Sequence, residues 1–225
     1  MKLRSLPMPS KPRIDTATVP AILLAAGAST RLGRPKQLLR LPAFGGETLL
    51  DHAIGLAQAA GADPIFVVLG AHADEIQQQS QLPDCTVLRN ESWSEGMASS
   101  VRVGIAAVVK KIPAASRAIF LVCDQPGLTA EHLRQLLAAH TTRPESIAAS
   151  RYAGRSGVPS VIPRALFPAL LQLKGDRGAR SIFEQPGVEI HTIEFPRGEW
   201  DIDSPEDLER LEEAASGRSA HKDEN

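Results

Sequence analysis

The sequence predicts an α/β fold with three layers, in which a mostly parallel β-sheet is covered by helices on both faces. Runs that are apolar throughout, such as PAILLA (20–25), PIFVVLG (64–70) and RAIFLVCD (117–124), are typical of strands buried on both faces. Segments with apolar residues at helical spacing lie between them, such as ETLLDHAIGLAQAA (47–60), which ends at Gly61. Strands that alternate with helices in this way form parallel sheets.

The rest of the chain continues this alternation. We expect further strands at 85–90, 146–150, 160–163 and 187–193, and further helices at 72–80, 97–110, 130–140, 164–173 and from Ser204 onward. Active sites of parallel sheets lie in the loops that follow the carboxyl ends of the strands. The loop after residue 25 and the turn at 123–126 should therefore be neighbours.

The composition argues against several classes of protein. The 225 residues are 43% hydrophobic and 23% charged, which is ordinary for a folded domain. The formal net charge of −1 argues against a nucleic-acid binder, and no apolar run is long enough to span a membrane. Cys85 and Cys123 both lie in apolar, strand-like runs. We interpret them as core residues of a cytoplasmic protein rather than as a disulfide.

Both ends of the chain differ from its middle. Residues 1–18 contain three prolines and no continuous apolar segment, so we expect a flexible leader and not a secretory signal. Residues 215–225 are polar and are expected to form a tail. The interpretation is therefore a single domain at 19–214.

One loop concentrates residues with special properties. The stretch LLAAGASTRLGRPKQLL (23–39) contains two glycines and three cations, Arg31, Arg34 and Lys36. Glycines let backbone amides turn toward an anion, an arginine can hold phosphate through two bonds, and a lysine adds a point charge. The spacing matches neither the dinucleotide fingerprint G-x-G-x-x-G nor the P-loop G-x-x-x-x-G-K-[ST]. A phosphate-binding loop and a simple turn with solvated cations both remain open on spacing alone.

The same stretch resembles the N-terminal signature of the molybdenum-cofactor nucleotidyltransferases, a family related to the sugar-nucleotide pyrophosphorylases. The family pattern L-A-A-G-x-S-x-R-[ML]-G-x-x-K matches residues 24–36 without a gap, with Leu32 where methionine is commoner. Three further stretches agree with the family: NESWSEGMASSVRVG (90–104), CDQPGLT (123–129) and DIDSPEDL (201–208). The stretch at 157–180 is similar to the narrower molybdopterin cytidylyltransferase branch. The resemblance covers residues 20–212.

The resemblance implies a Rossmann-like nucleotidyltransferase fold and a Mg²⁺-dependent enzyme. Such an enzyme transfers a nucleoside monophosphate from an NTP to an acceptor phosphate and releases pyrophosphate, a reaction that depends on positioning and charge neutralisation. The branch resemblance alone favours CTP as the donor and molybdopterin as the acceptor, with a molybdoenzyme as an eventual client. Three alternatives stay open: a nucleotidyltransferase for sugar phosphates or other small molecules, a nucleotide-binding module without turnover, and a chaperone that hands a finished cofactor to a client.

The functional residues of the family map onto this sequence one by one. The resemblance implies that Arg31 and Lys36 are catalytic and bind the triphosphate, and that Asp124 is catalytic and binds Mg²⁺. It also implies that Asp203 completes the metal site, although a charge cluster at the start of a helix is the alternative for Asp201 and Asp203. The residues expected to bind the nucleotide are Leu24, Ala25, Ala26, Gly27, Ser29, Gly33, Asn90, Gly96, Ser99 and Ser100.

Other polar and aromatic residues near these motifs have more than one interpretation. Trp93 could stack on a ligand, but a core or lid residue is the favoured interpretation. Arg177 and Arg180, in GDRGAR (175–180), could receive the phosphate of the acceptor or lie in a solvated connection. Three histidines lack metal-ligand spacing and are expected to be surface or packing residues: His72, His132 and His140.

Overall fold

The computed structural model describes residues 18–215 of the chain, with side chains described through residue 211. Seven strands form its centre: β1 (Ala21–Ala25), β2 (Ile65–Leu69), β3 (Cys85–Arg89), β4 (Arg117–Val122), β5 (Ile147–Tyr152), β6 (Arg155–Pro163) and β7 (Ile190–Glu194). They make one sheet in the order β3-β2-β1-β4-β6-β5-β7. The expected leader and tail fall outside the described residues, apart from their innermost positions.

All of these strands except β6 run in the same direction, so the prediction of a mostly parallel sheet is confirmed. In the centre, β1 pairs in parallel with β2 and β4, and Leu23 lies between Val67 and Leu121. In contrast, β6 is antiparallel to β4 and β5. It follows β5 through a turn at Ala153 and Gly154, whose φ angles of 47° and 70° are typical of a tight hairpin. This hairpin was not among the expected features.

Six α-helices lie between or after these strands in the described part of the chain. They are α1 (Leu49–Ala59), α2 (Ala73–Gln79), α3 (Met97–Lys111), α4 (Ala130–Thr142), α5 (Phe167–Leu171) and α6 (Pro205–Ala215). The helix expected at 164–173 is a 3₁₀ turn at Arg164–Leu166 followed by the short α5. Pro168 lies in the first turn of α5, where its missing N–H is tolerated. Within residues 18–215, no helix combines the length and the apolar character needed to cross a membrane.

The two faces of the sheet bury alternate residues of each strand. In β1, Leu23 packs in a core with α1, α2 and α4, whereas Ile22 packs on the opposite face with α3 and α5. This alternation follows from the two-residue period of a strand. Because both layers of helices present apolar faces, the strands are hydrophobic throughout. The three-layer α/β/α architecture is therefore confirmed.

A third, smaller hydrophobic cluster connects the loop after β1 to the segment between β7 and α6. Its buried members are Leu32, Leu39, Leu41, Leu49 and Ile202, with Leu208 and Leu211 packed against them. Leu32 and Leu39 come from the loop, and Ile202 is fully buried between two aspartates. The third cluster therefore holds the 201–203 segment against the loop after β1.

The two cysteines differ in burial. Cys123 is buried in the loop that follows β4, which ends at Val122, two residues earlier than expected. Burial raises the pKa of Cys123 to about 12, as expected for a chemically quiet thiol. Cys85, at the start of β3, is only half-buried. Both are free thiols.

Candidate active site

The loop after β1 is organised around Ser29. Its backbone is left-handed, with a φ of 53°, which few residues other than glycine adopt. The Ser29 carbonyl accepts hydrogen bonds from the amides of Leu32 and Gly33 at 3.0 and 3.1 Å. The Ser29 hydroxyl accepts a bond from the Lys36 amide at 3.1 Å. Ser29 therefore folds the loop back on itself and fixes the backbone that carries Lys36.

Two glycines leave one side of this loop open. A Cβ at Gly27 or at Gly33 would meet no atom within 4 Å. Gly33 also needs its conformational freedom, because its φ is 73°. The uncovered backbone lets a ligand approach closely, which is the feature that a loop with phosphate-binding amides requires.

Gln37, which sequence reasoning missed, fixes the start of this loop through buried hydrogen bonds. Its side chain is only 1% exposed, and its amide donates to the carbonyls of Ala25 at 2.8 Å and Gly27 at 3.1 Å. The available signal was a glutamine next to the apolar Leu38 and Leu39. A polar side chain that is buried with such neighbours has to find hydrogen-bond partners.

Lys36 brings the loop into contact with two carboxylates. Its ammonium donates to Asp124 Oδ2 at 2.5 Å and to Asp203 Oδ1 at 2.8 Å. Arg31 donates to the other oxygen of Asp203, Oδ2, at 2.7 Å. We call these four residues the charged cluster. The predicted proximity of the loop after β1 and the turn after β4 is confirmed by these contacts, which lie at the carboxyl edge of the sheet.

Backbone contacts hold the two carboxylates in position. The amide of Ile202 donates to the Asp124 carbonyl at 3.1 Å, and Ile202 is anchored in the third cluster. At the start of α6, Asp207 accepts bonds from the amides of Asp203 and Ser204 at 3.2 and 2.9 Å. Ser204 and Asp207 therefore form a reciprocal cap at the start of this helix, which leaves the Asp203 carboxylate to the cations of the charged cluster.

The pKa values in the site follow from these contacts. Burial acts to lower the pKa of Lys36, but Asp124 and Asp203 outweigh it and raise that pKa. For Asp203, burial acts to raise the pKa, and the contacts with Lys36 and Arg31 outweigh it and lower the pKa. Asp201 differs, because burial of its carboxyl and then the charges of Asp124 and Asp203 raise its pKa to about 6. The site therefore gathers more acidic groups than its cations neutralise.

The oxygens of this site fit a hard divalent cation. Asp124 Oδ1 is buried and has no hydrogen-bond partner among the described residues, although a buried carboxylate oxygen normally has one. Asp203 supplies a second carboxylate bound to the same ammonium. Proteins hold Mg²⁺ with one or two carboxylates, completed by substrate phosphates and water. Over residues 18–211, no group of three or more His, Cys, Asp or Glu side chains could hold a metal ion, so a ligand would supply the remaining oxygens.

A second group of expected site residues forms a closed, neutral network that we call the Asn90 cluster. The Asn90 amide donates to Ser99 Oγ at 2.8 Å and to Ser100 Oγ at 2.9 Å. Its Oδ1 accepts a bond from the Ser92 amide at 3.0 Å, and Ser99 Oγ donates to the Gly96 carbonyl at 2.8 Å. The Asn90 side chain therefore uses its hydrogen-bonding groups inside the protein, where it ties the loop after β3 to the first turn of α3.

Gly96 lets the loop after α5 approach the start of α3. Its φ of 105° favours glycine, and a Cβ there would collide with Gly175 and Asp176. The amide of Ala98 donates to the Gly175 carbonyl at 3.0 Å. The GDRGAR segment (175–180) is therefore packed against the start of α3 at its first residues.

Trp93 is not a core residue, so that part of its interpretation was wrong. Its side chain belongs to the exposed large hydrophobics, at 39% exposure. The ring lies beside an open cleft of about 550 Å³ that Ala28, Gly70 and Arg89 also line. This cleft reaches the loop after β1 at Ala28, so the exposed Trp93 ring forms one wall of a cleft next to that loop.

Gln125, which the sequence analysis also missed, joins three segments beside Asp124. Its side chain is buried, and its amide donates to the carbonyls of Val158 at 3.3 Å and Gly198 at 3.2 Å. These carbonyls belong to β6 and to the turn that precedes Asp201. Gln125 therefore fixes the loop after β4 against the antiparallel part of the sheet.

Relatives with full-length similarity support a common ancestry. The chain is 34% identical to nicotine blue oxidoreductase of Paenarthrobacter nicotinovorans, over 88% of this chain and 98% of the relative. It is 30% identical to the purine catabolism protein PucB of Bacillus subtilis, over 87% and 96%. It is 28% identical to a probable molybdenum cofactor guanylyltransferase of Nostoc sp., over 84% and 87%.

Solved structures share the fold over almost their whole length. Rv0371c from Mycobacterium tuberculosis has a TM-score of 0.74 and 29% identity, over 88% of this chain and 99% of that chain. Its complex with manganese has a TM-score of 0.71 and 28% identity, with the same coverage. The family model of the MobA-like NTP transferase domain matches residues 21–190 of this chain. This range contains Lys36, Asp124 and the Asn90 cluster. The chain therefore belongs to the MobA-like family of NTP transferases.

Proposed function

We propose that the protein transfers cytidine monophosphate from CTP to the phosphate of a molybdopterin-type cofactor and releases pyrophosphate. The observation that carries the proposal is the charged cluster, in which two cations and two carboxylates converge beside an open glycine loop. This arrangement suits a triphosphate with a bound cation, and it lies where α/β sheets bind their ligands. Membership of the NTP transferase family supports the reaction type.

Lys36 and Arg31 would neutralise the triphosphate. In the reaction, an oxygen of the acceptor phosphate attacks the α-phosphorus, a new P–O bond forms, and the bond to the β-phosphate breaks. Negative charge develops on the leaving pyrophosphate, and cations fixed at that point lower the barrier. The Arg31 side chain is 73% exposed, so it can turn from Asp203 to a phosphate oxygen.

Asp124 and Asp203 would hold Mg²⁺, which supplies charge neutralisation at the phosphates when it is bound. The unpartnered Oδ1 of Asp124 supports this role, because a buried carboxylate oxygen is stabilised by a cation. A divalent cation in the family is supported by the manganese complex of Rv0371c. Asp124 keeps its position through the buried strand that precedes it and through its backbone bond to Ile202.

The nucleoside would lie between the loop after β1 and the start of α3. The residues we propose to contact or enclose the nucleotide are Leu24, Ala25, Ala26, Gly27, Ser29, Gly33, Asn90, Gly96, Ser99 and Ser100. Asn90 would shape this wall rather than bind the base through its amide, because that amide bonds Ser99 and Ser100. The preference for CTP rests on the similarity of residues 157–180 to the cytidylyltransferase branch.

The acceptor is proposed from the relatives. One relative is named as a probable molybdenum cofactor guanylyltransferase. We therefore propose a phosphorylated pterin as the class of acceptor. A molybdoenzyme would then receive the product. We place the reaction in the cytoplasm, which the two free thiols support, and the proposal involves neither nucleic acid nor a membrane.

Pyrophosphate release tests the proposed reaction. The purified protein is incubated with MgCl₂ and with CTP, GTP, ATP or UTP, in the presence of molybdopterin, a sugar 1-phosphate or no acceptor. We expect release that requires both Mg²⁺ and molybdopterin and that is fastest with CTP. Faster release with another nucleotide would contradict the choice of base, and release with sugar phosphates alone would contradict the acceptor.

A redox reaction is the second candidate, and the 34% identity to nicotine blue oxidoreductase favours it. The loop after β1 lacks the glycine spacing of a dinucleotide fingerprint and carries Arg31 and Lys36 instead. These charges suit a triphosphate better than a dinucleotide. Oxidation of NADH or NADPH in the presence of a pigment acceptor, without any pyrophosphate release, would replace the transferase by this candidate.

Lys36→Ala provides a direct test of the charged cluster. We expect turnover to fall by about two to four orders of magnitude, because a cation that neutralises the triphosphate is lost. Arg34→Ala is the matched control, since Arg34 is an exposed cation of the same loop. Equal activity in the two folded variants would exclude Lys36 from the reaction.

A further inference from the structure

We propose that Lys36 and the divalent cation compete for the same two carboxylates, so that the cation binds tightly only when a triphosphate draws Lys36 away. This inference rests on the proposed function, because it assumes that Asp124 and Asp203 are the metal ligands. The Lys36 ammonium lies 2.5 Å from Asp124 Oδ2 and 2.8 Å from Asp203 Oδ1. A cation of the protein itself therefore bridges the two carboxylates.

The bridging ammonium hinders a second cation. The side chains of Lys36 and Asp124 are each only 17% exposed, so little water screens the repulsion between the ammonium and an incoming divalent ion. Of the four oxygens of Asp124 and Asp203, the ammonium binds two and Arg31 binds a third. Of these four oxygens, only Asp124 Oδ1 has no partner among the described residues. A divalent ion without nucleotide therefore meets one available oxygen and a like charge.

A triphosphate reverses this balance. Its oxygens are acceptors for the ammonium of Lys36 and for the guanidinium of Arg31. The flexible side chain of Lys36 can move while its backbone amide stays bound to Ser29 Oγ. Both carboxylates then lose a cationic partner, and a divalent ion restores neutrality while it gains phosphate oxygens as ligands. The nucleotide would therefore bind before the metal or together with it.

Mn²⁺ binding tests the competition without any turnover. The paramagnetic resonance signal of free Mn²⁺ gives the affinity of the nucleotide-free protein. Lys36→Met should bind Mn²⁺ at least about tenfold more tightly than the unchanged protein, because the repelling charge is lost and both carboxylates are released. Lys36→Gln, which keeps a hydrogen-bond donor without the charge, should show the same direction.

Two matched variants locate the effect. Arg34→Met removes the same charge from an exposed side chain of the same loop, so Mn²⁺ affinity should stay within about twofold. In the double variant Lys36→Met/Asp124→Asn, the gain should disappear, since one of the two carboxylates is lost. For the unchanged protein, added CTP should increase protein-bound Mn²⁺, which water-proton relaxation distinguishes from Mn²⁺ bound to free CTP.

Three results would overturn the competition. They are an unchanged Mn²⁺ affinity in folded Lys36→Met and Lys36→Gln, a gain that persists in the double variant, and no increase of protein-bound Mn²⁺ with any of CTP, GTP, ATP and UTP. A different result would contradict the proposed function. A protein that shows the expected Mn²⁺ changes but releases no pyrophosphate with any nucleotide and acceptor would support the competition and contradict the transferase.

Discussion

The charged cluster and the Asn90 cluster both lie in loops that follow parallel strands, but they use their polar atoms in different ways. In the Asn90 cluster, both donated bonds of the amide and the accepted bond of Oδ1 stay within the protein. In the charged cluster, Asp124 Oδ1 is buried without a partner among the described residues. A closed network stabilises the fold, whereas an unpartnered charged oxygen needs a ligand. The comparison contrasts a closed polar network with the site that we propose to bind a ligand.

Asp124→Asn should produce the largest effect, because it removes the charge of the carboxylate whose Oδ1 has no partner and keeps the shape of the side chain. We expect Mg²⁺-dependent turnover to fall by about three orders of magnitude. Nucleotide binding without metal should be kept or slightly strengthened, since a carboxylate next to a triphosphate repels it. Pyrophosphate release and calorimetric titration of nucleotide, with and without Mg²⁺, measure the two effects.

The exposed Asp84 supplies a control for this prediction, as Asp84→Asn changes the same charge away from the site and should leave turnover unchanged. Normal Mg²⁺-dependent turnover in Asp124→Asn would mean that the metal lies elsewhere.

His132 extends the comparison to a buried titratable group with a neutral partner. It is 6% exposed, and its Nε2 lies 2.8 Å from Ser150 Oγ. Burial lowers the pKa of His132 to about 4, so between pH 6.5 and 4 the unfolded chain binds more protons than the folded one. The contribution of the neutral His132 side chain to stability is therefore fully present above pH 6.5. As the pH falls to about 4, the free energy of unfolding decreases by about 3 kcal/mol.

Urea unfolding at pH 7.5 and at pH 4 measures this loss. His132→Gln keeps a donor for Ser150 but does not titrate, so its stability should fall less over the same interval. Identical pH dependence in both proteins would show that His132 ionises freely in the folded state.

Asn90→Ala should destabilise the protein more than it affects the nucleotide. The change removes the hydrogen-bond partner of the Ser92 amide and of the two buried hydroxyls of Ser99 and Ser100, which costs about 2 kcal/mol in the free energy of unfolding. The Michaelis constant for the nucleotide should change by less than about fivefold, because the amide bonds protein groups. Unchanged stability together with a large loss of nucleotide affinity would contradict the structural role of the Asn90 cluster and would assign Asn90 to base recognition.

Asp203→Asn should give the smallest effect of the series. The Asp203 side chain is 37% exposed, so solvent weakens its interactions, and an asparagine oxygen still accepts from Lys36. We expect turnover to fall by about tenfold at saturating Mg²⁺ and the Mg²⁺ requirement to shift to higher concentration. A loss as large as that of Asp124→Asn would make the two carboxylates equal partners.

The alternation of strands and helices predicted a mostly parallel sheet and the proximity of the loop that carries Lys36 to the turn that contains Asp124, since loops after parallel strands share one edge. The hydrogen-bond partners of Gln37 and Gln125 were not predictable, because they are backbone carbonyls whose position depends on tertiary packing. The β5–β6 hairpin was missed because Ala153 occupies a left-handed turn position where alanine is a weak signal. Trp93 was misplaced because the exposure of an aromatic ring depends on its neighbours.

The burial of Ile202 couples the position of the charged cluster to the packing of α6. Its side chain is buried in the third hydrophobic cluster, and its amide donates to the Asp124 carbonyl, so this hydrophobic anchor helps to set the separation of Asp203 from Asp124. Leu208 and Leu211 of α6 pack against the same anchor. A change in the volume of this apolar packing would therefore change the distance between the carboxylates of Asp124 and Asp203. Helix α6 would therefore influence the charged cluster indirectly, through the apolar packing of Leu208 and Leu211 and through Asp207, which accepts a bond from the Asp203 amide.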